Sequence, residues 1–152
     1  MLQGGWGRPL GKVAARCYHG VMADLHISLL SCALAALIAV WLGFRCGVVR
    51  RREDIMHGHG GNPLLERRMR AQANFTEYTP FVLLLVLVLD LLDRDGWALG
   101  LTALAYLLGR VAHGIGMDAP GNSHFRFAGM LLTWPVLIGL AAWAGLVGLG
   151  LA

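Results

Sequence analysis

Four segments of this sequence are each long enough and apolar enough to cross a lipid bilayer as a single helix. A spanning helix needs about 20 mostly apolar residues. The chain is 57% hydrophobic and only 14% charged, whereas a soluble domain has about 25% charged residues. We therefore expect an all-α integral membrane protein, a four transmembrane helix bundle. The expected spans are residues 25–44, about 70–89, 97 to about 117, and about 127 to 151.

Residues 1–21 differ from the rest because they contain Gly, Arg and Lys but no apolar run. They therefore lack the core of a signal peptide. We expect this segment to be a disordered extension or the product of an upstream start, and residues 22–152 to form the membrane domain. The three cysteines have neither the number nor the spacing of a disulfide framework or a zinc site.

Basic residues are distributed unevenly between the two sides of the predicted bundle. Ten Lys and Arg residues follow Met22 (the total of 13 minus Arg8, Lys12 and Arg16). All but Arg94 lie in or beside the connections between spans 1 and 2 and spans 3 and 4. Because basic residues favour the cytoplasmic side, we expect both connections in the cytoplasm and both termini outside.

The second span begins with a stripe of polar side chains. At about 100° per residue, four of them fall within an arc of roughly 80°. Lipid cannot satisfy such groups, so the stripe is expected to face protein or a water-filled pocket. Pro80 follows one turn later and predicts a kink that widens the pocket. The alternative is an internal salt-bridge network that holds the bundle together. The stripe consists of Arg67, Arg70, Asn74 and Glu77.

Further basic residues are expected at the same depth on the third and fourth spans. Arg110 and His113 are three residues apart and share a helix face, and Arg126 begins the fourth span. Taken singly, the arginines have a structural alternative as residues that reach the lipid headgroups, and the histidine as a hydrogen-bonded interior residue. Together they predict a pocket rich in arginine, covered by residues 45–62, that suits a small ligand with carboxylates.

Three short patterns lie on these spans. The second span carries E-R-x-x-R-A-x-x-N-x-x-E-x-x-P from Glu66 to Pro80. The third carries G-R-V-A-H at residues 109–113, and the fourth begins with R-F-A-G-M at residues 126–130. Together they resemble the MAPEG family, the membrane-associated proteins of eicosanoid and glutathione metabolism, in its bacterial members. The resemblance covers roughly residues 24–150 and implies a multi-pass protein of the bacterial inner membrane.

The resemblance implies a homotrimer with glutathione bound between neighbouring subunits near the cytoplasmic face. It implies a glutathione S-transferase-like transferase or peroxidase, in which glutathione is the co-substrate and lipophilic electrophiles enter from the lipid. Arg126 matches the arginine that stabilises the thiolate, and is the candidate catalytic residue. A nearby guanidinium favours the ionised thiol. The implied glutathione-binding residues are Arg67, Arg70, Asn74, Glu77, Arg110 and His113.

Two positions depart from the family's eicosanoid enzymes. Met117 stands where those enzymes have a tyrosine, and Phe127 stands where prostaglandin E synthase has a serine. The resemblance therefore does not imply a specific eicosanoid synthase. Two other classes of function stay open: a non-catalytic protein that binds glutathione or another anion, and a small transporter that uses the polar stripe as a path.

Metal and nucleic-acid partners find little support in the sequence. His57 and His59 have no cysteine or carboxylate partner at ligand spacing, so a flexible glycine-rich loop is the favoured interpretation and no metal is expected. The basic residues border the predicted bilayer and lack interleaved aromatic residues. We therefore expect membrane lipid and a second copy of the chain as partners, but no nucleic acid.

Overall fold

The computed structural model describes residues 25–92 and 96–151. Regular structure in these two ranges consists of four helices, each long and apolar enough to cross a membrane. The expected four-helix membrane bundle is therefore confirmed. The expected extension over residues 1–21 and the lone outer arginine, Arg94, lie outside the described residues. The helices are α1 (His26–Arg52), α2 (Pro63–Leu91), α3 (Trp97–Gly116) and α4 (His124–Gly148).

The centre of the bundle is formed by α2 and α3. Helix α1 packs against both of them, and α4 packs against α3 and, less extensively, α2. Side chains such as Leu42, Phe75 and Tyr106 fill the space between the helices. Outward-facing residues such as Val40 and Phe81 are large, apolar and exposed. A surface of this kind suits lipid, because lipid tails are as apolar as these side chains and their exposure to lipid has no hydrophobic cost.

Helix α1 is longer than the apolar segment that predicts it. It continues through Arg45 to Arg52, so the connection to α2 is residues 53–62 and not the expected 45–62. Hydropathy predicts only the part of a helix that lies in the bilayer. Arginine is a good helix former, so the helix can continue beyond the apolar segment. The three arginines of the last turn also interact favourably with the helix dipole. Helix α2 likewise continues through Pro80 as one helix.

The connection between α1 and α2 is a glycine-rich turn that ends in a helix cap. Gly60 and Gly61 have φ angles of 56° and 74°, a region that glycine adopts at little cost. The His59 ring accepts a hydrogen bond from the Gly61 N–H at 3.2 Å. Asn62 then caps α2 by accepting from the backbone N–H groups of Leu64 and Leu65, both at 3.0 Å.

An ion-pair cluster holds the connection between α3 and α4 against the rest of the bundle. Arg68 donates to both carboxylate oxygens of Asp118 at 2.9 Å, and Arg45 approaches the same carboxylate at 2.6 Å. Arg45 also donates to the Gly114 carbonyl at 2.8 Å. Burial raises the pKa of Asp118, but hydrogen bonds from Arg68 and Arg45 outweigh it and hold that pKa below 3.8. This cluster joins α1, α2 and the end of α3.

Glycines bring the backbones of α3 and α4 almost into contact. A Cβ atom on Gly129 would lie 2.5 Å from His113 Cβ and 2.6 Å from the Gly109 carbonyl oxygen. A Cβ atom on Gly116 would overlap the backbone of Arg126. Small residues permit this spacing between membrane helices. The contact fixes the start of α4, and so Arg126, beside His113.

At the opposite end of the bundle, a buried carboxylate ties α1 to α2. One oxygen of Asp90 accepts hydrogen bonds from the Ser28 backbone N–H at 2.8 Å and from the Ser28 hydroxyl at 2.5 Å. Asp90 lies at the end of α2, and Ser28 in the first turn of α1. The carboxylate therefore satisfies one N–H group that the helix leaves free, and it complements the positive end of the helix dipole.

Substituting Asp118→Asn should destabilise the bundle, because it removes the charge that Arg45 and Arg68 share. We expect a loss of about 1–2 kcal/mol after allowing for the partial exposure of the cluster. The pKa of Asp118 is depressed by folding, so its contribution is fully present above pH 3.8 and disappears as the pH falls through the lower, folded-state value. Thermal unfolding of both proteins in detergent, from pH 7 down to pH 3, measures this difference. A constant difference across that range would contradict the assignment.

Substituting Gly129→Ala should separate α3 from α4, because the added methyl group has no space. Overpacking of this kind costs about 1–3 kcal/mol, and more when the obstacle is backbone. Gly139→Ala is the matched control, since nothing lies within 4 Å of a Cβ atom there. Thermal unfolding should therefore show a clear loss for Gly129→Ala and none for Gly139→Ala. Equal effects would mean that the close approach is not rigid.

Candidate functional site

A pocket of about 210 Å³ lies at the end of the bundle that carries most of the arginines. Side chains of α2 and α4 form its two sides. Side chains of α3 form its back wall, because Arg110 and His113 are buried whereas Arg70 and Arg126 are exposed. We call it the arginine pocket. It is lined by Arg70, Ala73, Asn74, Glu77, Tyr78, Arg110, His113, Met117, Arg126, Met130, Thr133 and Trp134.

Six of the seven residues singled out from the sequence line this one pocket. They come from three helices and are separated by up to 56 residues, from position 70 to position 126. The helical spacing of the α2 stripe accounts for three of them, because α2 turns that face towards α3 and α4. The six are Arg70, Asn74, Glu77, Arg110, His113 and Arg126.

Arg67 is the seventh, and the structure places it outside the pocket. Its Nε donates to the carbonyl of Met117 at 3.1 Å, and its Nη2 donates to the carbonyl of Asp118 at 3.3 Å. These carbonyls follow the end of α3, where backbone acceptors lack partners within the helix. Arg67 therefore caps α3, at the edge of the stripe nearest the helix end.

Arg110 is the most unusual residue of the pocket because it is a buried cation that forms no ion pair with any carboxylate in residues 25–92 and 96–151. Its side chain is only 2% exposed. Nη1 donates to Asn74 Oδ1 at 2.7 Å, and the guanidinium lies 5.7 Å from the centre of the Tyr106 ring. Nε and Nη2 are buried without a hydrogen-bond partner among the described residues. An unpaired buried charge is costly, so these two N–H groups are available to an anionic ligand.

His113 adds a second unsatisfied group to the back wall. It is 6% exposed, and its Nδ1 has no hydrogen-bond partner within the described ranges. It lies one helical turn after Arg110 and faces the start of α4 at Gly129. The back wall therefore contains a guanidinium and an imidazole ring, one helical turn apart on α3.

The charges around the pocket do not cancel one another. Three guanidiniums, from Arg70, Arg110 and Arg126, surround the single carboxylate of Glu77. Over the part of the chain that the structure describes, the ion pairs within 4.0 Å are those of Asp118 with Arg45 and Arg68, so none joins Glu77 to a pocket arginine. The alternative of an internal salt-bridge network is therefore absent from this site, which has an excess of positive charge.

The deeper part of the pocket is apolar and aromatic, which the polar stripe alone does not predict. The rings of Tyr78 and Trp134 lie 6.1 Å apart at an angle of 49°. The Thr133 hydroxyl is occupied, because it donates to the Gly129 carbonyl at 2.7 Å. Tyr78 follows Asn74 by four residues, so helical spacing could have placed it on the stripe. A tyrosine is a weaker sequence signal than a charged residue, because only the charged residue is costly in a membrane span.

Comparison with known proteins agrees with this architecture. The model of the MAPEG family matches residues 28–146. The inner membrane protein YecN of Escherichia coli K12 is 27% identical over 114 residues, which cover 74% of this chain and 85% of YecN. YecN of Escherichia coli O6:H1 matches with the same identity and coverage. Because the family match extends from α1 into α4 and includes every residue of the arginine pocket, the chain belongs to the MAPEG family.

Proposed function

We propose that this protein binds glutathione in the arginine pocket and activates its thiol towards lipophilic electrophiles, as a membrane transferase or peroxidase. The buried, unpaired guanidinium of Arg110 is the observation that carries the proposal. A cation held out of water without a counter-ion gains most from a ligand that brings a negative charge. Glutathione brings two carboxylates, and membership of a family associated with glutathione makes it the first ligand to test.

The remaining pocket groups complement the other parts of glutathione. Arginine pairs with a carboxylate through two parallel hydrogen bonds, and Arg70 offers a second such partner on α2. The unpaired carboxylate of Glu77 suits the ammonium group. Asn74 and the buried nitrogen of His113 suit the peptide groups. Arg67 is not included, because its donors already contact the end of α3.

Arg126 is the proposed catalytic residue. A thiol becomes a strong nucleophile only as the thiolate, and a guanidinium within a few ångströms favours that form. Arg126 lies at the rim of the pocket, and the glycine contacts between α3 and α4 hold its backbone in place. Its exposed side chain can therefore reach the sulfur atom, while Arg110 holds the ligand at the back wall.

A homotrimer would complete the pocket. Small-molecule sites usually enclose about 300–1,000 Å³, whereas one subunit supplies about 210 Å³. The side chains of Arg70, Glu77 and Arg126 are exposed on the open side. A neighbouring copy packed against this side would exclude water and close the site around the ligand.

In this proposal the lipophilic electrophile reaches the pocket from the membrane, and the protein lies in the inner membrane. The exposed side chains of Phe127 and Trp134 flank the pocket on α4, so a lipophilic electrophile can approach directly from the lipid. The excess of arginine at this end favours the cytoplasmic side, with both termini outside. The inner membrane is the proposed location, which agrees with the name of the relative YecN.

A transporter is the weaker candidate. Transporters with a central binding site typically have discontinuous helices and internal repeats. Each of the four described helices runs without a break, including α2 through Pro80. A non-catalytic binder has the same pocket, and thiolate formation distinguishes it from the enzyme.

Glutathione titration of the purified protein in detergent tests the proposal. We expect the wild type to give a saturable ultraviolet absorbance of the thiolate. Arg110→Met should weaken binding by about 30–100-fold, because a charged hydrogen-bond partner is lost. Arg126→Ala should lose the thiolate signal, with binding within about threefold of the wild type. Arg51→Ala, an exposed arginine at the end of α1, is the control and should change neither. Binding without a thiolate signal in the wild type would favour the non-catalytic protein.

Arg67→Ala should separate stability from binding. Its loss leaves the carbonyls of Met117 and Asp118 without their donors, at a cost of about 1–3 kcal/mol. Glutathione affinity, measured by the same titration at a temperature where the variant is folded, should stay within about threefold of the wild type. A large loss of affinity in the folded variant would mean that Arg67 contributes to glutathione binding.

A further inference from the structure

An apolar groove of about 330 Å³ lies between α1 and α3, and it shares no lining residue with the arginine pocket. Its walls are residues 34–41 of α1 and 104–111 of α3, and the lining side chains are those of leucine, isoleucine, valine and one tryptophan. Leu37 and Leu108, on opposite walls, are more than half exposed, so the groove is open to the lipid. Seven residues of helix rise about 10 Å, which gives the groove room for part of an acyl chain.

Trp41 forms the end of the groove that points towards the arginine-rich end of the bundle. Its ring lies against α3 where Gly114 has no side chain, because a Cβ atom on Gly114 would lie 2.8 Å from that ring. The guanidinium of Arg45 lies 4.6 Å from the centre of the same ring and donates to the Gly114 carbonyl at 2.8 Å. Tryptophan is enriched where the acyl chains of a bilayer meet the headgroups. This end of the groove is therefore expected at the level of the headgroups.

Beyond this end of the groove, the positive charges outnumber the negative charges that pair with them. Arg45 and Arg68 share the single carboxylate of Asp118, so this cluster has one positive charge in excess. Arg52 is the last residue of α1 and is exposed. Although Glu53 follows it, Arg52 forms no ion pair within 4.0 Å in the part of the chain that the structure describes. Two positive charges are therefore left for an anion at this end.

Helical geometry places Arg52 in line with the groove. At about 100° per residue, Leu34, Trp41, Arg45 and Arg52 fall within an arc of about 40° on α1. Arg51 is also exposed, but it lies about 100° away from Arg52 around the helix. One face of α1 therefore passes from an apolar groove to a tryptophan and then to arginines.

The same order of groups occurs along a phospholipid, from the acyl chain through the ester region to the phosphate. We propose that the groove between α1 and α3 is a binding site for an anionic phospholipid. One acyl chain lies along residues 34–41, and the headgroup lies beside the Arg45 cluster and contacts Arg52. Arginine binds phosphate oxygens through two parallel hydrogen bonds. The site is independent of the proposed function, because the groove and the arginine pocket have no residue in common.

A second copy of the chain fits this face less well than a lipid does. Two copies that met through the same face would bring Arg52 of one towards the arginines of the other, and like charges repel. An anionic lipid complements both parts of the face, since its chain is apolar and its headgroup is negative. Basic residues beside a membrane helix attract anionic lipids for the same electrostatic reason.

Native mass spectrometry of the purified protein tests the proposal by measuring the affinity for the first lipid bound per subunit. Phosphatidylglycerol, which is anionic, is compared with phosphatidylcholine, which is zwitterionic and has the same acyl chains. We expect the wild type to bind phosphatidylglycerol about tenfold more tightly. Arg52→Gln should reduce this preference about fivefold, because one basic residue at the headgroup is lost.

Arg51→Gln is the matched control, since it removes the same charge from the neighbouring position of α1. It should leave the preference for phosphatidylglycerol within about twofold of the wild type. Leu108→Trp fills the groove and should weaken the binding of both lipids about tenfold without changing their ratio. Leu131→Trp, on α4, is its control, because Leu131 and Leu108 are both 58% exposed and Leu131 lies outside the groove.

The results distinguish a built site from general attraction to negative lipid. Equal affinities of the wild type for the two lipids would overturn the proposal, and so would equal effects of Arg52→Gln and Arg51→Gln. Unchanged binding in a folded Leu108→Trp variant would show that the chain does not lie in the groove. A loss of preference confined to Arg52→Gln, together with weaker binding of both lipids in Leu108→Trp alone, would support it.

Discussion

The arginine pocket depends on a guanidinium that is held away from water without a counter-ion. Among the described residues, Arg110 has one hydrogen bond, to Asn74, and one aromatic ring near its guanidinium, that of Tyr106. The Tyr106 hydroxyl is bonded in turn to Thr79, so α2 and α3 hold the guanidinium from both sides. Such an arrangement is costly for folding. It is useful when a ligand supplies the missing charge, because the donors are then already oriented.

Apart from the three arginines that end α1, the arginines at this end of the bundle form two groups with different tasks. Arg45, Arg67 and Arg68 contact Asp118 or the backbone at the end of α3, and they stabilise the fold. Those that line the pocket have no carboxylate within 4.0 Å in residues 25–92 and 96–151. Because donors of the first group are occupied by Asp118 and by backbone carbonyls, the second group, Arg70, Arg110 and Arg126, supplies the positive charge of the pocket. This division explains how the arginine-rich end of the bundle can be stable and still have arginines available to bind an anion.

The sequence predicts the helices and most of the site, because both depend on regular spacing. Apolar length identifies the four spans, and the 100° spacing of α2 brings Arg70, Asn74 and Glu77 to one side. It cannot predict where Arg67 points, because that depends on the carbonyls at the end of α3, which are distant in the chain. The sequence cannot predict the contact at Gly129 either, because a glycine has no side chain whose type would indicate its neighbours.

The polar stripe ends where the apolar part of the pocket begins, and the proposed function would make use of this boundary. A water-soluble thiol needs charged groups, whereas a lipophilic electrophile stays where lipid surrounds it. Within two turns, α2 passes from Arg70 to Tyr78, and α4 passes from Arg126 to Trp134. Both helices therefore carry the same change of polarity at the same depth. If the proposed function is correct, a site at that depth holds a water-soluble thiol and a lipophilic electrophile side by side, although neither would enter the other's solvent.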